Sequence, residues 1–155
     1  MRYIFILVGL AIALAPHARA QSAPDTPEDK PPSIGQQQAA AFEAAIAPYV
    51  ADARRTYPAA KQRYRDGLPE GQTFYLTTRL RDREGNREQA IILVQEIHEQ
   101  RVTGIIVSEV QLVSGYKFGQ PYSFHETEMI DWLITKPDGS EEGNVVGKFL
   151  DTYHP

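Results

Sequence analysis

The chain opens with an almost unbroken hydrophobic run. Residues 3–15 are apolar and follow the positively charged Arg2, and residues 18–20, Ala-Arg-Ala, place small side chains at the two positions that a signal peptidase reads. The run is shorter than the roughly 20 residues that cross a bilayer, which argues against a membrane anchor or a first helix of the fold. We therefore predict a cleavable signal peptide over 1–20, cut after Ala20, and a periplasmic or secreted product.

Prolines dominate the next segment. Residues 21–35 contain four prolines and only one sizeable apolar side chain, Ile34. Such a segment cannot bury enough surface to offset the entropy lost on ordering, and a proline-rich ligand for a partner groove would need a basic flank that is missing here. We predict a flexible spacer over 21–35 and one folded domain over 36–155.

Apolar side chains recur at helical spacing from Gln36 onward. They form one stripe, which is predicted to pack against a sheet: Phe42, Ile46, Tyr49, Val50, Ala53 and Tyr57. Pro48 removes one backbone amide, so the pattern predicts a kink or break there, with the better-packed helix from Pro48 to Thr56. A second short helix is expected to begin at Pro58 and to end at residues 66–69, Asp-Gly-Leu-Pro.

Beyond Gly71 the spacing of apolar side chains changes to alternation. In residues 73–81, Phe74, Leu76 and Leu80 alternate with polar side chains that include two arginines. This pattern is typical of a strand with one solvated face. A turn over the next five residues ends the strand.

Two further strands, 88–96 and 102–107, are predicted to complete an antiparallel meander. The centre of the first, residues 90–94, is apolar without alternation, which favours a central strand covered on both faces. Gly104, inside the other strand, indicates a bulge or a close backbone approach, the kind of feature at which a small sheet begins to curl.

The second half of the chain is less regular. Tyr122 and Phe124 begin a fourth predicted strand, and residues 129–134 lead into a fifth that ends in the turn 136–139. Residues 143–153 fit either a last strand or a helical turn. The expected fold class is α+β, with an N-terminal helical segment packed on a curled antiparallel sheet of about five strands.

Composition narrows the range of partners. The chain has 155 residues, no cysteine and a formal charge of −4, so it lacks both disulfides and the lipid-modified cysteine of bacterial lipoproteins. Because the leader contains two arginines and no acidic residue, its removal changes the charge from −4 to −6. This excess of acidic over basic residues predicts no binding to nucleic acid. Because the chain has no second long apolar run, we also expect no membrane anchor after signal cleavage.

Several short motifs occur in order along the folding part of the chain. They are Ala53-Arg54, Tyr57-Pro58, Glu88 at the entry to the second strand, Gly119, Ile130-Asp131-Trp132 and Gly147. This order, over roughly Ala45 to Tyr153, resembles the small bacterial proteins grouped as domain of unknown function 2314, the YegJ-like family. Gln89 and Ile91 stand where that family often has His and Trp, and residues 107–110 replace its Asn-x-Pro. The resemblance implies an α+β fold and no established activity.

Histidines and carboxylates are the candidates for a metal site. His125-Glu126 begins like the helical zinc motif, but the position of the second histidine holds Met129, and the surrounding period is that of a strand. A composite site from Glu96, His98 and His125 is possible because Glu96 and His98 share a strand face. The alternative is that all three are exposed polar residues, and we predict neither a metal nor a cofactor.

No pattern for nucleophilic catalysis or phosphate binding is present. There is no cysteine and no Gly-x-Ser-x-Gly turn, and the glycines lie singly in turns. The carboxylate pairs 126/128 and 141/142 lie beside turns and are expected to be solvated. Trp132, the only tryptophan, is predicted to anchor the core while Asp131 accepts backbone amide bonds, an interpretation favoured over a binding hot spot.

Two hypotheses for function follow from these patterns. The first is an exported, non-catalytic module of uncharacterised role that presents a sheet surface or edge strand to a protein or envelope component. The alternative is a small hydrolase or metal- or ligand-binding enzyme that uses His98, His125 and nearby carboxylates. The first is favoured because no catalytic constellation is recognisable, although the sequence identifies no binding residue.

Overall fold

The computed structural model describes residues 34–153. The predicted leader, its cleavage after Ala20 and nearly all of the predicted spacer lie outside this range. The described elements are α1 (Ile34–Asp66), β1 (Thr73–Arg81), β2 (Arg87–His98), β3 (Arg101–Ile106), β4 (Pro121–His125), a 3-10 turn (Glu126–Glu128), β5 (Asp131–Thr135), β6 (Glu141–Gly143) and α2 (Val145–Leu150). None of the helices in this range is long and apolar enough to cross a membrane.

The six strands form one antiparallel sheet in the order β4-β3-β2-β1-β5-β6. Alternation in β1 places Phe74, Leu76 and Leu80 on its buried face, as predicted. The C-terminal half of α1 packs on the same face through Ala53 and Tyr57. The predicted α+β class is therefore confirmed, with β6 as a short additional strand.

The sheet curls around a short connection. β4 and β5 are separated by three strands in the sheet but by only residues 126–130 in the chain, which we name the crossover segment. The six Cα–Cα steps from His125 to Asp131 reach at most about 20 Å, barely more than four strand spacings of a flat sheet, about 19 Å. The segment crosses the buried face, where the carbonyl of Glu128 accepts a hydrogen bond from Thr78 Oγ1 at 3.2 Å, so the sheet has to bend around it.

Gly104 lies at a close backbone approach, as predicted. A Cβ at this position would overlap the carbonyl oxygen of Leu93 and would lie 2.7 Å from Ile92 Cγ2. The bulge itself is in the facing strand, where the register of β2 shifts between Val94 and Glu96. The extra residue increases the local twist of the sheet.

The prediction of two helical segments is wrong, because α1 is one helix that contains both Pro48 and Pro58. Both prolines are exposed, so the carbonyls that lose their intrahelical partners, including that of the exposed Ala44, are open to water. On the opposite side, buried side chains hold the helix to the rest of the protein on both sides of each proline. Packing therefore compensates for the missing amide bonds.

The prediction that β2 is covered on both faces is also wrong. Ala90, Ile92 and Val94 are buried, whereas Ile91 between them is 38 % exposed. β2 is central in the sheet, but only the side chains on its buried face join the core cluster to which α1 contributes Ala53 and Tyr57. A continuous apolar run can therefore occur in a strand that has apolar side chains on both faces although only one face is fully buried.

A second, smaller apolar cluster joins the two helices and explains the C-terminal segment. Ile46 of α1, Ile130 and Val146 of α2 are buried together. Tyr49, expected in the buried stripe, is 37 % exposed and stacks on Phe149 with ring centroids 4.2 Å apart. In the segment 143–153, left open between strand and helix, Gly143 ends β6 and Val145–Leu150 form α2.

Candidate functional site

The histidines do lie on one face of the sheet, but they are not adjacent. His98 is opposite Arg101, and Arg101 is opposite His125. The two histidines are thus two strand spacings apart, about 9.6 Å, with Arg101 between them. No group of three His, Asp or Glu side chains within residues 34–153 is placed to hold a metal ion.

His125 has a local structural role. Its ring Nδ1 lies 2.9 Å from Thr127 Oγ1 and accepts the backbone N–H of Thr127 at 3.3 Å. The Glu128 carboxylate in turn accepts the backbone N–H of His125 at 3.0 Å. His125 is the last residue of β4, in agreement with the strand-like period around it, and its ring caps the 3-10 turn Glu126–Glu128 that follows.

Glu126, expected to be solvated, is largely buried. Its Oε1 accepts the Tyr57 hydroxyl at 2.8 Å and pairs with Lys61 Nζ at 2.5 Å. The Lys61 ammonium also donates to the carbonyl of Glu99 at 3.3 Å. Burial, and then the bond to Glu126, raise the pKa of Tyr57, so the hydroxyl stays protonated and donates. This cluster ties α1 to the crossover segment and to the β2–β3 turn.

The two members of the other carboxylate pair beside a turn, Glu141 and Glu142, lie in different environments. Glu141 is exposed, as expected. Glu142 instead forms a bidentate pair with Arg63 of α1, with nitrogen–oxygen distances of 2.5 and 3.1 Å, and this pair lowers the pKa of the Glu142 carboxyl. Both side chains are more than one-third exposed, so the contribution to stability is about 0.5 kcal/mol.

Asp131 and Trp132 have the structural roles predicted for them. The Asp131 carboxylate is 2 % exposed and accepts the backbone N–H groups of Trp132 at 2.8 Å, Val146 at 2.7 Å and Gly147 at 3.4 Å. It thereby caps α2, because the Asn144 side chain makes no capping bond. Burial raises the pKa of Asp131, and the amide bonds oppose that shift. Trp132 Nε1 donates to Thr56 Oγ1 of α1 at 3.0 Å.

Glu88 organises the long loop 107–120, a role that the sequence pattern did not reveal. Its carboxylate accepts the backbone N–H groups of Gln111 at 3.0 Å, Leu112 at 2.7 Å and Val113 at 3.3 Å. Glu88 is half-buried, and hydrogen bonds from backbone amides to an ionised carboxylate are stronger than those between neutral groups. Its position at the entry to β2 places Glu88 beneath this loop.

Substitution of Glu88 by alanine is expected to loosen the loop selectively. The three amides lose a charged acceptor, at a cost of about 1.5 kcal/mol, and hydrogen exchange at residues 111–113 should become faster than in the wild type. Glu109→Gln is the matched control, because Glu109 is an exposed carboxylate on the same loop. Equal exchange rates in the two variants would contradict the role assigned to Glu88.

A cleft of about 540 Å³ lies between the N-terminal half of α1 and the end of β1, and it brings three arginines together. Arg54 is held by the carbonyls of Thr127 and Met129 at 3.0 and 3.1 Å. Arg79 pairs with Glu43 at 2.6 Å. Arg81 has no carboxylate within 4.0 Å among the described residues. We name this site the arginine cleft.

The backbone of β1 is open where it borders the arginine cleft. β5 pairs with β1 only as far as Thr77, whose carbonyl accepts the N–H of Ile130 at 2.8 Å. Because alternate residues of a strand direct their N–H and C=O groups to the same side, Arg79 presents both groups to the cleft. Over residues 34–153 neither group has a hydrogen-bond partner.

The alternation in β1 predicts two arginines on the solvated face of this strand but does not by itself indicate a binding site. Arg79 and Arg81 are two residues apart in β1, so alternation alone predicts a shared face. Arg54, however, is more than twenty residues away in α1. The signal for the cleft is the Arg-x-Arg pair at the end of β1, a strand that extends beyond its neighbour β5.

The chain was compared with protein-family models, curated proteins and solved structures. The resemblance to the domain of unknown function 2314 family stays a prediction, carried by the motifs alone. No family model, no curated protein and no solved structure matches this chain.

Proposed function

We propose that this chain is an exported, non-catalytic binding module whose arginine cleft takes an anionic group of a partner protein or envelope component. Export rests on the predicted leader. Binding rests on one observation above all: Arg54, Arg79 and Arg81 line one cleft, to which residues 34–153 contribute two carboxylates, Glu43 and Glu128. Guanidinium groups are the side chains best suited to carboxylates and phosphates.

The three arginines differ in how free they are to bind. Arg54 is fixed by two backbone carbonyls, and Arg79 is shared with Glu43. Arg81 is exposed and is therefore the first contact for an anion. A positive cleft on a chain with a formal charge of −4 concentrates the attraction at one place, and this local field directs an anionic ligand there.

The alternative hypothesis, an enzyme that uses His98 and His125, gains no support from the geometry. The two rings are separated by Arg101. The His125 ring is occupied by Thr127, and Glu126 by Tyr57 and Lys61. These contacts assign the polar residues to folding.

Charge reversal at Arg81 tests the proposed function. Arg81→Glu is expected to lower partner recovery from envelope extract at least about tenfold, equivalent to about 1.4 kcal/mol, when the processed protein is used as bait and recovery is quantified by mass spectrometry. Arg65→Glu, an equal charge change at an exposed position outside the cleft, should leave recovery within about twofold. Equal recovery with both variants would rule out the arginine cleft as the binding site.

A further inference from the structure

The open edge of β1 adds a second kind of contact to the arginine cleft. Within the described residues, Arg79 presents an unpaired N–H and C=O, and the next outward-directed N–H, that of Arg81, also has no partner. The carbonyl of Arg81 is already bonded to the Tyr116 hydroxyl at 3.0 Å. Three backbone groups in a row are thus available along one strand edge.

We propose that the partner enters the arginine cleft as an extended, acidic peptide segment that pairs with β1 as an added strand. This inference rests on the proposed function and specifies its ligand. The partner's backbone bonds to Arg79 and Arg81, while its carboxylates reach the guanidinium groups of the same two residues. Backbone pairing supplies affinity in this mode of recognition, and alternate side chains supply specificity.

The chemistry of the cleft matches an extended peptide better than a compact anion. Its α1 wall presents small or apolar side chains, Ala47, Val50 and Ala51, which leave room for a backbone next to β1. A free phosphate or citrate uses the arginines but none of the unpaired N–H and C=O groups. A strand uses both, and its side chains opposite Arg79 and Arg81 lie on the same face as the arginines.

The other sheet edges are poorer sites for an added strand. β4 begins with Pro121 and has five residues, and β6 has three. Short edge strands and proline are features that block pairing with another chain. The open part of β1 is also short, but it contains no proline and continues a strand of nine residues that β2 holds on the other side as far as Arg81.

The test uses capped peptides that separate charge from backbone pairing. The probe has the sequence Thr-Asp-Val-Asp-Val-Asp-Thr, in which alternation places all three carboxylates on one face. One control replaces each Asp by Asn. Two others keep the charges but carry N-methyl groups, on the Asp amides or on the Val amides. Inorganic phosphate and citrate represent small anions.

Binding is measured by NMR on the processed, ¹⁵N-labelled protein. The Asp probe should shift the amide signals of Arg79 and Arg81 and slow their hydrogen exchange. The Asn peptide should bind at least about tenfold more weakly, as should the Asp probe to Arg81→Glu, whereas Arg65→Glu should bind normally. One of the two N-methylated peptides should also bind about tenfold more weakly than the Asp probe. Which of the two is weakened distinguishes an antiparallel from a parallel added strand.

Other results overturn the inference. Equal affinities for the probe and both N-methylated peptides, or no affinity for the probe, would exclude strand pairing. If Arg81→Glu still abolished partner recovery from the extract, the proposed function would stand without it. Saturation by phosphate or citrate at the same affinity would identify a small-anion site. If Asp25→Asn, Glu28→Gln and Asp29→Asn together shifted the Arg79 amide without peptide, the chain's own N-terminal segment would be the occupant instead of a partner.

Discussion

Gly104→Ala is expected to destabilise the protein by about 3 kcal/mol, because the added Cβ meets backbone rather than a movable side chain. It would overlap the carbonyl oxygen of Leu93 and lie 2.7 Å from Ile92 Cγ2. Both neighbours belong to β2, so relief requires that β2 and β3 separate at the bulge. Denaturant unfolding followed by Trp132 fluorescence measures the change in free energy of unfolding.

The control for this prediction is Gly115→Ala. Gly115 has a φ of +84° but nothing within 4 Å of its Cβ position, so alanine there incurs only backbone strain of about 1 kcal/mol. If Gly115→Ala lowered the free energy of unfolding more than Gly104→Ala, the backbone conformation of the glycine, and not the close approach of two strands, would determine the destabilisation.

Asp131→Ala is expected to lower the free energy of unfolding by a similar amount, about 3 kcal/mol. The substitution leaves the buried N–H groups of Trp132 and Val146 without an acceptor, and each unsatisfied group costs about 1–3 kcal/mol. It also removes the cap of α2. The loss should therefore appear both in global unfolding and as faster hydrogen exchange in α2.

Two further variants identify the cause. Asn144→Gly should change stability by only a few tenths of a kcal/mol, because the Asn144 side chain makes no capping bond and its φ of 55° suits glycine. A large loss from Asn144→Gly would transfer the capping role to that residue.

Asp131→Asn keeps one acceptor oxygen and tests the charge. The pKa of Asp131 is raised in the folded protein, so the folded state binds a proton more tightly than the unfolded state. The resulting stabilisation is complete below the usual carboxyl pKa and is lost as pH rises through the raised value. The wild type should therefore lose stability relative to Asp131→Asn over that window, and a difference that grows with pH in favour of the wild type would contradict this sign.

Much of the fold was predictable, because its signals are local. Alternation in β1 correctly placed Phe74, Leu76 and Leu80 on one face, and Gly104 correctly marked a close approach. The break predicted at Pro48 is absent because the cost of a proline in a helix depends on what the rest of the helix buries, which is a tertiary property. The apolar run in β2 indicates a preference for burial but does not indicate which face of the strand is covered.

The arginine cleft was not predictable to the same degree. The sequence places Arg79 and Arg81 on one strand face, but Arg54 joins them only because α1 crosses the end of β1. Likewise, Glu126 resembles an ordinary surface carboxylate until the curl of the sheet brings Tyr57 and Lys61 to it. Contacts between distant segments have no signature in local spacing.

By itself, the sequence determined the α+β class, the faces of the first strand and the structural roles of Asp131 and Trp132, because period and residue type act over a few neighbouring residues. It also carries the prediction of export, in residues outside the described range. Only the tertiary structure decided that α1 is continuous, that Arg101 separates the two histidines, and that β1 extends beyond β5 into a positively charged cleft. These features depend on strand order, register and the short crossover segment, which bring together residues that are far apart in the chain.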